Sequence, residues 1–77
     1  MDKLHDLKDT LKVGIALHPC RCRMLTFKSG AFTTSAAVLW SAFMVRRCWL
    51  RLEGGRSFEI IVTGYVPGAD EDRFVLF

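Results

Sequence analysis

The chain has 77 residues, of which 51% are hydrophobic and 25% are charged, and this composition is too apolar for an intrinsically disordered protein. The length allows a single small domain spanning residues 1–77, and a domain of this size buries only about 60% of the surface that its unfolded chain exposes. The net charge of +3 does not by itself indicate a dedicated nucleic-acid binder, because such proteins concentrate more Lys and Arg on one face.

The N-terminal segment Asp2–Val13 is predicted to form a helix. Its apolar side chains recur at helical spacing, at Leu4, Leu7, Leu11 and Ile15. Asp2 would cap the first turn, and Pro19 would stop the helix. The segment lacks the apolar stretch of a secretory signal, so we expect a cytoplasmic protein.

Cys20–Lys28 alternates weakly between two faces and is predicted to be a strand. The three cysteines, Cys20, Cys22 and Cys48, are an odd number, which argues against a disulfide framework and favours free thiols in a reducing compartment. Two further interpretations remain open, a zinc site built from His18 and the first two cysteines and a reactive thiol activated by the neighbouring arginines. A C-x-C pair in a strand does not wrap around a metal, so we expect neither metal nor cofactor.

The segment Ala31–Leu52 holds both tryptophans and the Arg46–Arg47 pair. One interpretation is a long apolar helix over about Ser35–Glu53, with a buried seam at spacings of four and three. The other is two strands, Ala31–Trp40 and Phe43–Glu53, and we favour the helix. The uncharged stretch Ala31–Val45 is shorter than the about 20 residues that a membrane span requires, so no membrane association is expected.

The C-terminal third reads as a β-hairpin. Arg56–Val66 is rich in β-branched and aromatic residues, Pro67–Asp72 is a polar turn, and Arg73–Phe77 is a terminal strand. The fold class predicted for the whole chain is therefore α+β: a helix, a strand, a long apolar helix and two or three antiparallel strands. The alternative is an N-terminal helix followed by a small antiparallel β-sheet or barrel.

No catalytic pattern stands out in the sequence. The carboxylates of residues 70–72 lie in a turn, and Gly54–Gly55 lacks the Lys-Ser/Thr that follows a phosphate-cradling loop. We therefore expect a protein that is not an enzyme.

The clustered arginines are the most informative polar feature, because Arg together with Trp is typical of protein–protein contact sites. On the predicted long helix, one face would carry apolar and cationic side chains without an intramolecular partner. We expect this face to bind a partner through Arg46, Arg47, Arg51, Phe43, Leu39 and Leu50.

The predicted function is a small non-catalytic protein-binding module, an inhibitor or adaptor that occludes a surface of a larger protein partner. Its short length suits a phage or mobile-element origin, and its surplus apolar surface suits a homodimer as well. The alternative is a nucleic-acid-binding module that places arginines on phosphates and aromatic rings on bases.

Overall fold

The computed structural model describes residues 7–77, which form a closed antiparallel barrel of six strands with one short helix. In chain order the elements are β1 (Asp9–Val13), β2 (Ala16–Met24), β3 (Ser29–Thr33), α1 (Ala36–Val45), β4 (Arg47–Arg51), β5 (Ser57–Val66) and β6 (Glu71–Leu76). The strands follow one another around the barrel as β1-β2-β3-β6-β5-β4, and β4 returns to pair with β1. The barrel is thus two three-stranded meanders joined through α1.

Two long-range pairings close the barrel. Leu11 of β1 lies opposite Leu50 of β4, and Gly30 of β3 lies opposite Phe74 of β6. Because every pair is antiparallel, the β1–β2 turn, the β5–β6 turn and both ends of α1 lie at the same end of the barrel.

The barrel interior is filled by alternate side chains of the strands, as expected when so few strands leave no room for a channel. The rings of Phe32 and Phe74 lie 6.1 Å apart at its centre. Leu39 and Ala42 of α1 are buried as well, so the helix covers one end. The remaining buried apolar residues of this core are Leu11, Val13, Cys20, Cys48, Leu50, Ile60 and Val62.

Pro19 lies inside β2, a position that normally breaks a ladder of hydrogen bonds. It is opposite Thr10 of β1, while pairing with β3 starts only at Arg21. The Pro19 carbonyl points away from β1 and accepts a 2.7 Å hydrogen bond from the Thr34 hydroxyl. The nitrogen of the same residue points to the same side, so its missing N–H costs no strand pairing.

The α+β fold expected from the sequence is wrong. Residues 9–13 of the predicted helix form β1, in which Leu11 and Val13 point inward and Lys12 points outward; Asp2–Asp6 lie outside the described residues. This error also affects the alternative that began with an N-terminal helix. The helical spacing of the leucines is misleading, because Leu11 also fits the alternation of apolar and polar residues that is typical of a strand.

The single long helix predicted within Ala31–Leu52 is also wrong, and so are the two strands. The segment contains the end of β3, the ten-residue α1 and all of β4. In contrast, the predicted strand Arg56–Val66 corresponds to β5, and the predicted terminal strand corresponds to most of β6. The predicted strand Cys20–Lys28 overlaps β2, which begins at Ala16 and ends at Met24.

Candidate functional site

The outer side of α1 is apolar and exposed. The helix sequence AAVLWSAFMV contains no charged residue, and Leu39 points into the barrel. On the other side, Trp40 is 66% exposed, Met44 61% and Val45 50%. An apolar helix surface that nothing in residues 7–77 covers is typical of a contact site for another molecule.

The aromatic side chains of this helix are held in place by each other. The rings of Trp40 and Phe43 stack with their centroids 6.3 Å apart, and the Arg46 guanidinium lies 4.8 Å from the centre of the Phe43 ring. We call Trp40, Phe43, Met44 and Val45 the helix face, with Arg46 at its C-terminal border.

Arg46 ends the helix by its backbone conformation. Its φ of 74° lies in the left-handed region, which is unusual for a residue other than glycine. Its N–H donates a 2.8 Å hydrogen bond to the Ala42 carbonyl, and its own carbonyl accepts one of 2.7 Å from the Val62 N–H. These two bonds fix the sharp passage from α1 into β4 and keep Arg46 beside the helix face.

The six residues predicted to bind a partner do not form one surface. Phe43 and Arg46 belong to the helix face or its border, and Arg47 and Arg51 point outward from β4. Arg47 forms an ion pair with Glu59 and lies 3.9 Å from the centre of the Phe77 ring.

Leu39 and Leu50 require a correction, because both side chains are buried in the barrel core. One long helix would place both beside the arginines, whereas strand alternation in β4 turns Leu50 inward. Trp40 and Met44, which the predicted contact surface does not include, are exposed residues of α1. Their spacing of four, in a helix without charge, is the signal that could have identified them.

A second apolar feature lies on the outer wall, where β2, β1 and β4 run side by side. Leu17, Lys12 and Trp49 are neighbours in the strand register. They line a shallow groove of about 360 Å³ together with Thr10 and Arg51. Lys12 and Arg51 give this groove a positive charge.

A third feature is an open pocket of about 500 Å³ with a mixed polar and apolar lining, which we call the arginine pocket. It lies against the outer side of β2 and β3 and the turn before β6, and it is lined by Leu7, Arg21, Cys22, Arg23, Ala31, Thr33, Ala69 and Asp70. One Arg23 nitrogen donates hydrogen bonds of 3.1 and 3.0 Å to the two carboxylate oxygens of Glu71. Arg73 lies 3.6 Å from the same carboxylate.

The environment of the cysteines does not favour the thiolate form that a nucleophile requires. Burial, followed by the charges of Asp9 and Cys22, raises the pKa of Cys20 to about 12, and burial and Asp9 raise the pKa of Cys22 to about 11. The arginines beside them point to the outer side of β2 and do not lower these values. This environment argues against the reactive thiol that the sequence left open.

Asp72 is an unusual core residue. It is fully buried between Phe32 of β3 and Tyr65 of β5. Neither of its carboxylate oxygens has a hydrogen-bond partner within the described chain. Burial raises the pKa of Asp72 to about 6. Burial first, and then the negative charge of Asp72, raises the pKa of Cys48 to about 11.

Among residues 7–77 there is no cluster of three or more His, Cys, Asp or Glu side chains that could hold a metal ion. Over the same residues, no helix has the length and apolar character needed to cross a membrane. The chain matches no protein-family model, no curated protein and no solved structure.

Proposed function

We propose that this protein is a non-catalytic binding module that docks on a larger protein through the helix face. The observation that carries the proposal is the exposed row of Trp40, Met44 and Val45 on a helix that has no charged residue. The partner would offer an apolar groove, since helices commonly bind partners by placing an apolar face into such a groove.

The helix face has the properties of an efficient contact site. Tryptophan is among the residues whose truncation most often weakens a protein–protein interface. Trp40 is already stacked on Phe43, and α1 is already packed on the barrel through Leu39 and Ala42. Little conformational entropy would therefore be lost on binding, which leaves more of the contact energy available for affinity.

Charge supports a partner with acidic groups at the border of its groove. Arg46 adjoins the helix face, and no carboxylate among the described residues lies within ion-pair distance of it. A second copy of the chain is a weaker candidate, because α1 carries no carboxylate that would meet this arginine. Formation of a homodimer is accordingly an outcome of the test below.

Nucleic-acid binding has less support as the primary function. The arginines are divided among separate walls of the barrel, and Arg47 is engaged with Glu59. Trp40 and Trp49 lie on different elements and line no part of the arginine pocket. This alternative remains a prediction that direct binding measurements with DNA and RNA would test.

The test uses Trp40→Glu, with Phe27→Glu as the matched control. Phe27 is 83% exposed and lies in the β2–β3 turn, at the opposite end of the barrel. A partner captured from the host by the wild-type chain is identified, purified and titrated with each variant. We expect Trp40→Glu to weaken binding at least about 100-fold, as for a central contact residue, and Phe27→Glu to bind like the wild type.

Two further measurements decide the role of the surface. Arg46→Glu should weaken the same complex more at low salt than at high salt, because the proposed border contact is electrostatic. If the partner is an enzyme, its inhibition should be lost with Trp40→Glu. If Trp40→Glu and Phe27→Glu bind the partner with equal affinity, the helix face is not the binding site. If the wild type forms a dimer that Trp40→Glu abolishes, the helix face binds a second copy of the chain and not a larger protein.

A further inference from the structure

We propose that the arginine pocket binds a phosphate-bearing small molecule, independently of the helix face. The pocket has three features that such a ligand requires: two guanidinium groups on one wall, a surplus of positive charge and room for an organic group.

The strand register places two guanidinium groups on one wall. Arg21 and Arg23 are two residues apart on β2 and therefore point to the same face, about 7 Å apart at the backbone. Their partners across the β2–β3 ladder are Thr33 and Ala31. Ala31 is fully buried at the floor of the pocket, and the Thr33 hydroxyl adds a neutral hydrogen-bond donor to its lining.

The charges around the pocket leave one positive charge in excess, since Arg21, Arg23 and Arg73 face two carboxylates, those of Glu71 and Asp70. The Glu71 side chain is almost completely buried, and its single negative charge is shared between Arg23 and Arg73. Within the described chain, Arg21 has no carboxylate within ion-pair distance. Glu71 contacts only one terminal nitrogen of Arg23, so the other donors of this guanidinium remain available in a fixed orientation. Since Glu71 occupies the nitrogen shared by both forks of Arg23, the free planar fork that matches phosphate oxygens is that of Arg21, and Arg23 adds single donors.

The volume indicates more than an inorganic ion. About 500 Å³ is within the range of cavities that hold organic ligands. Leu7 and Ala69 supply apolar contacts, while the Asp70 carboxylate lies on the same lining and would accept hydrogen bonds from hydroxyl or amino groups. A phosphate monoester with such groups, as in a nucleoside monophosphate, satisfies both the cationic and the acidic side of the pocket.

The proposal is tested by titrating the full chain with adenosine monophosphate, ribose 5-phosphate, inorganic phosphate and adenosine. Calorimetry measures each affinity, and amide NMR identifies the residues that respond. We expect the phosphate esters to bind more tightly than phosphate or adenosine alone, with shifts at residues of β2 and β3. Arg21→Glu should weaken ester binding at least about tenfold, the effect of losing a charge-assisted contact.

Arg56→Glu is the matched control, because it changes the net charge equally and lies in the β4–β5 turn, away from the pocket. It should bind the esters like the wild type, and so should Trp40→Glu, which separates this site from the helix face. Three results would overturn the proposal: no ester binding at millimolar concentration, equal losses in Arg21→Glu and Arg56→Glu, or binding only of a single-stranded oligonucleotide with a steep salt dependence.

Discussion

Asp9 and Cys22 are joined by a hydrogen bond of 2.9 Å, which the backbone N–H of Cys22 donates to Oδ2 of the Asp9 carboxylate. The other oxygen, Oδ1, accepts a 3.0 Å bond from the backbone N–H of Glu53. Cys22 lies beyond the part of β2 that pairs with β1, and Glu53 lies in the turn after β4. One carboxylate thus ties three strands together at the end of the barrel that α1 does not cover.

Replacing Asp9 by Ala should lower the free energy of unfolding by about 2 kcal/mol, because two backbone donors lose a charged acceptor. Urea denaturation of wild type and variant measures this change. Asp70→Asn is the control, since Asp70 is exposed in a turn and Asn tolerates its φ of 51°. Equal stability of Asp9→Ala and wild type would show that water replaces both bonds without loss.

Asp9 should also control the thiol chemistry of its neighbours. Its charge contributes to the raised pKa of Cys20 and of Cys22, after the larger effect of burial. In Asp9→Asn the pKa of Cys22 should fall below about 11, so alkylation at about pH 8 should become faster. Mass spectrometry of the alkylated peptides over a range of pH measures this separately for each cysteine, and Cys48 provides an internal control. An unchanged pH profile at Cys22 would show that burial alone sets its pKa.

Asp72 should make the protein less stable as the pH rises. The pKa of this carboxyl is 3.8 in the absence of burial and about 6 in the folded chain, so between these values the folded state keeps a proton that the unfolded state has released. Its contribution to stability is therefore complete below about pH 4 and is lost as the pH rises through 6, by an amount on the order of 2–3 kcal/mol.

The measurement compares Asp72→Asn with the wild type in urea at several pH values from about 4 to about 7. The difference in stability between the two proteins should shift in favour of the variant as the pH rises, because the asparagine amide cannot ionise. Effects of the other carboxylates cancel in this comparison. A difference that is constant over the whole range would mean that Asp72 keeps its ordinary pKa.

Gly30 should tolerate no side chain. A Cβ atom added there would lie 2.6 Å from the Arg23 carbonyl oxygen and 2.7 Å from Cζ of Phe74. Gly30→Ala should therefore destabilise the fold by about 2–3 kcal/mol through overpacking. Gly64→Ala is the control, since a Cβ at this position meets no atom within 4 Å. Thermal or urea denaturation of both variants measures the contrast, and similar midpoints would show that Phe74 can move aside.

The sequence predicts secondary structure correctly where the local pattern of residues and the long-range strand pairing favour the same element. In β5 and β6, apolar alternation and a Pro-Gly turn lead to the same hairpin, and these strands pair as expected. In β1 they disagree, because Leu11 fits both a helical stripe and a strand. The pairing of Leu11 with Leu50, far along the chain, decides for the strand. Such a partner cannot be recognised from one sequence.

The candidate site was found only in part, for a related reason. The sequence predicts the helix in approximately the right region but continues it through Arg46, because no glycine or proline lies between this residue and Gly54. The positive φ of Arg46 cannot be predicted from its residue type, because arginine rarely adopts this conformation. Past this residue the pattern RCWLR is alternating, with Cys48 and Leu50 inward, and recognising that period would have removed Leu50 from the proposed surface.

The order of the strands also determines how the chain can reach this fold. Each meander can form from neighbouring residues, but the β1–β4 and β3–β6 pairings join residues about 40 positions apart. Proteins dominated by such distant pairings fold over milliseconds to seconds, because chain entropy is lost before the contacts form. Until both seams close, the edges of β1, β3, β4 and β6 remain open to strands of other molecules. The seam residues Leu50 and Phe74 therefore bear on the rate of folding and on the risk of aggregation during synthesis.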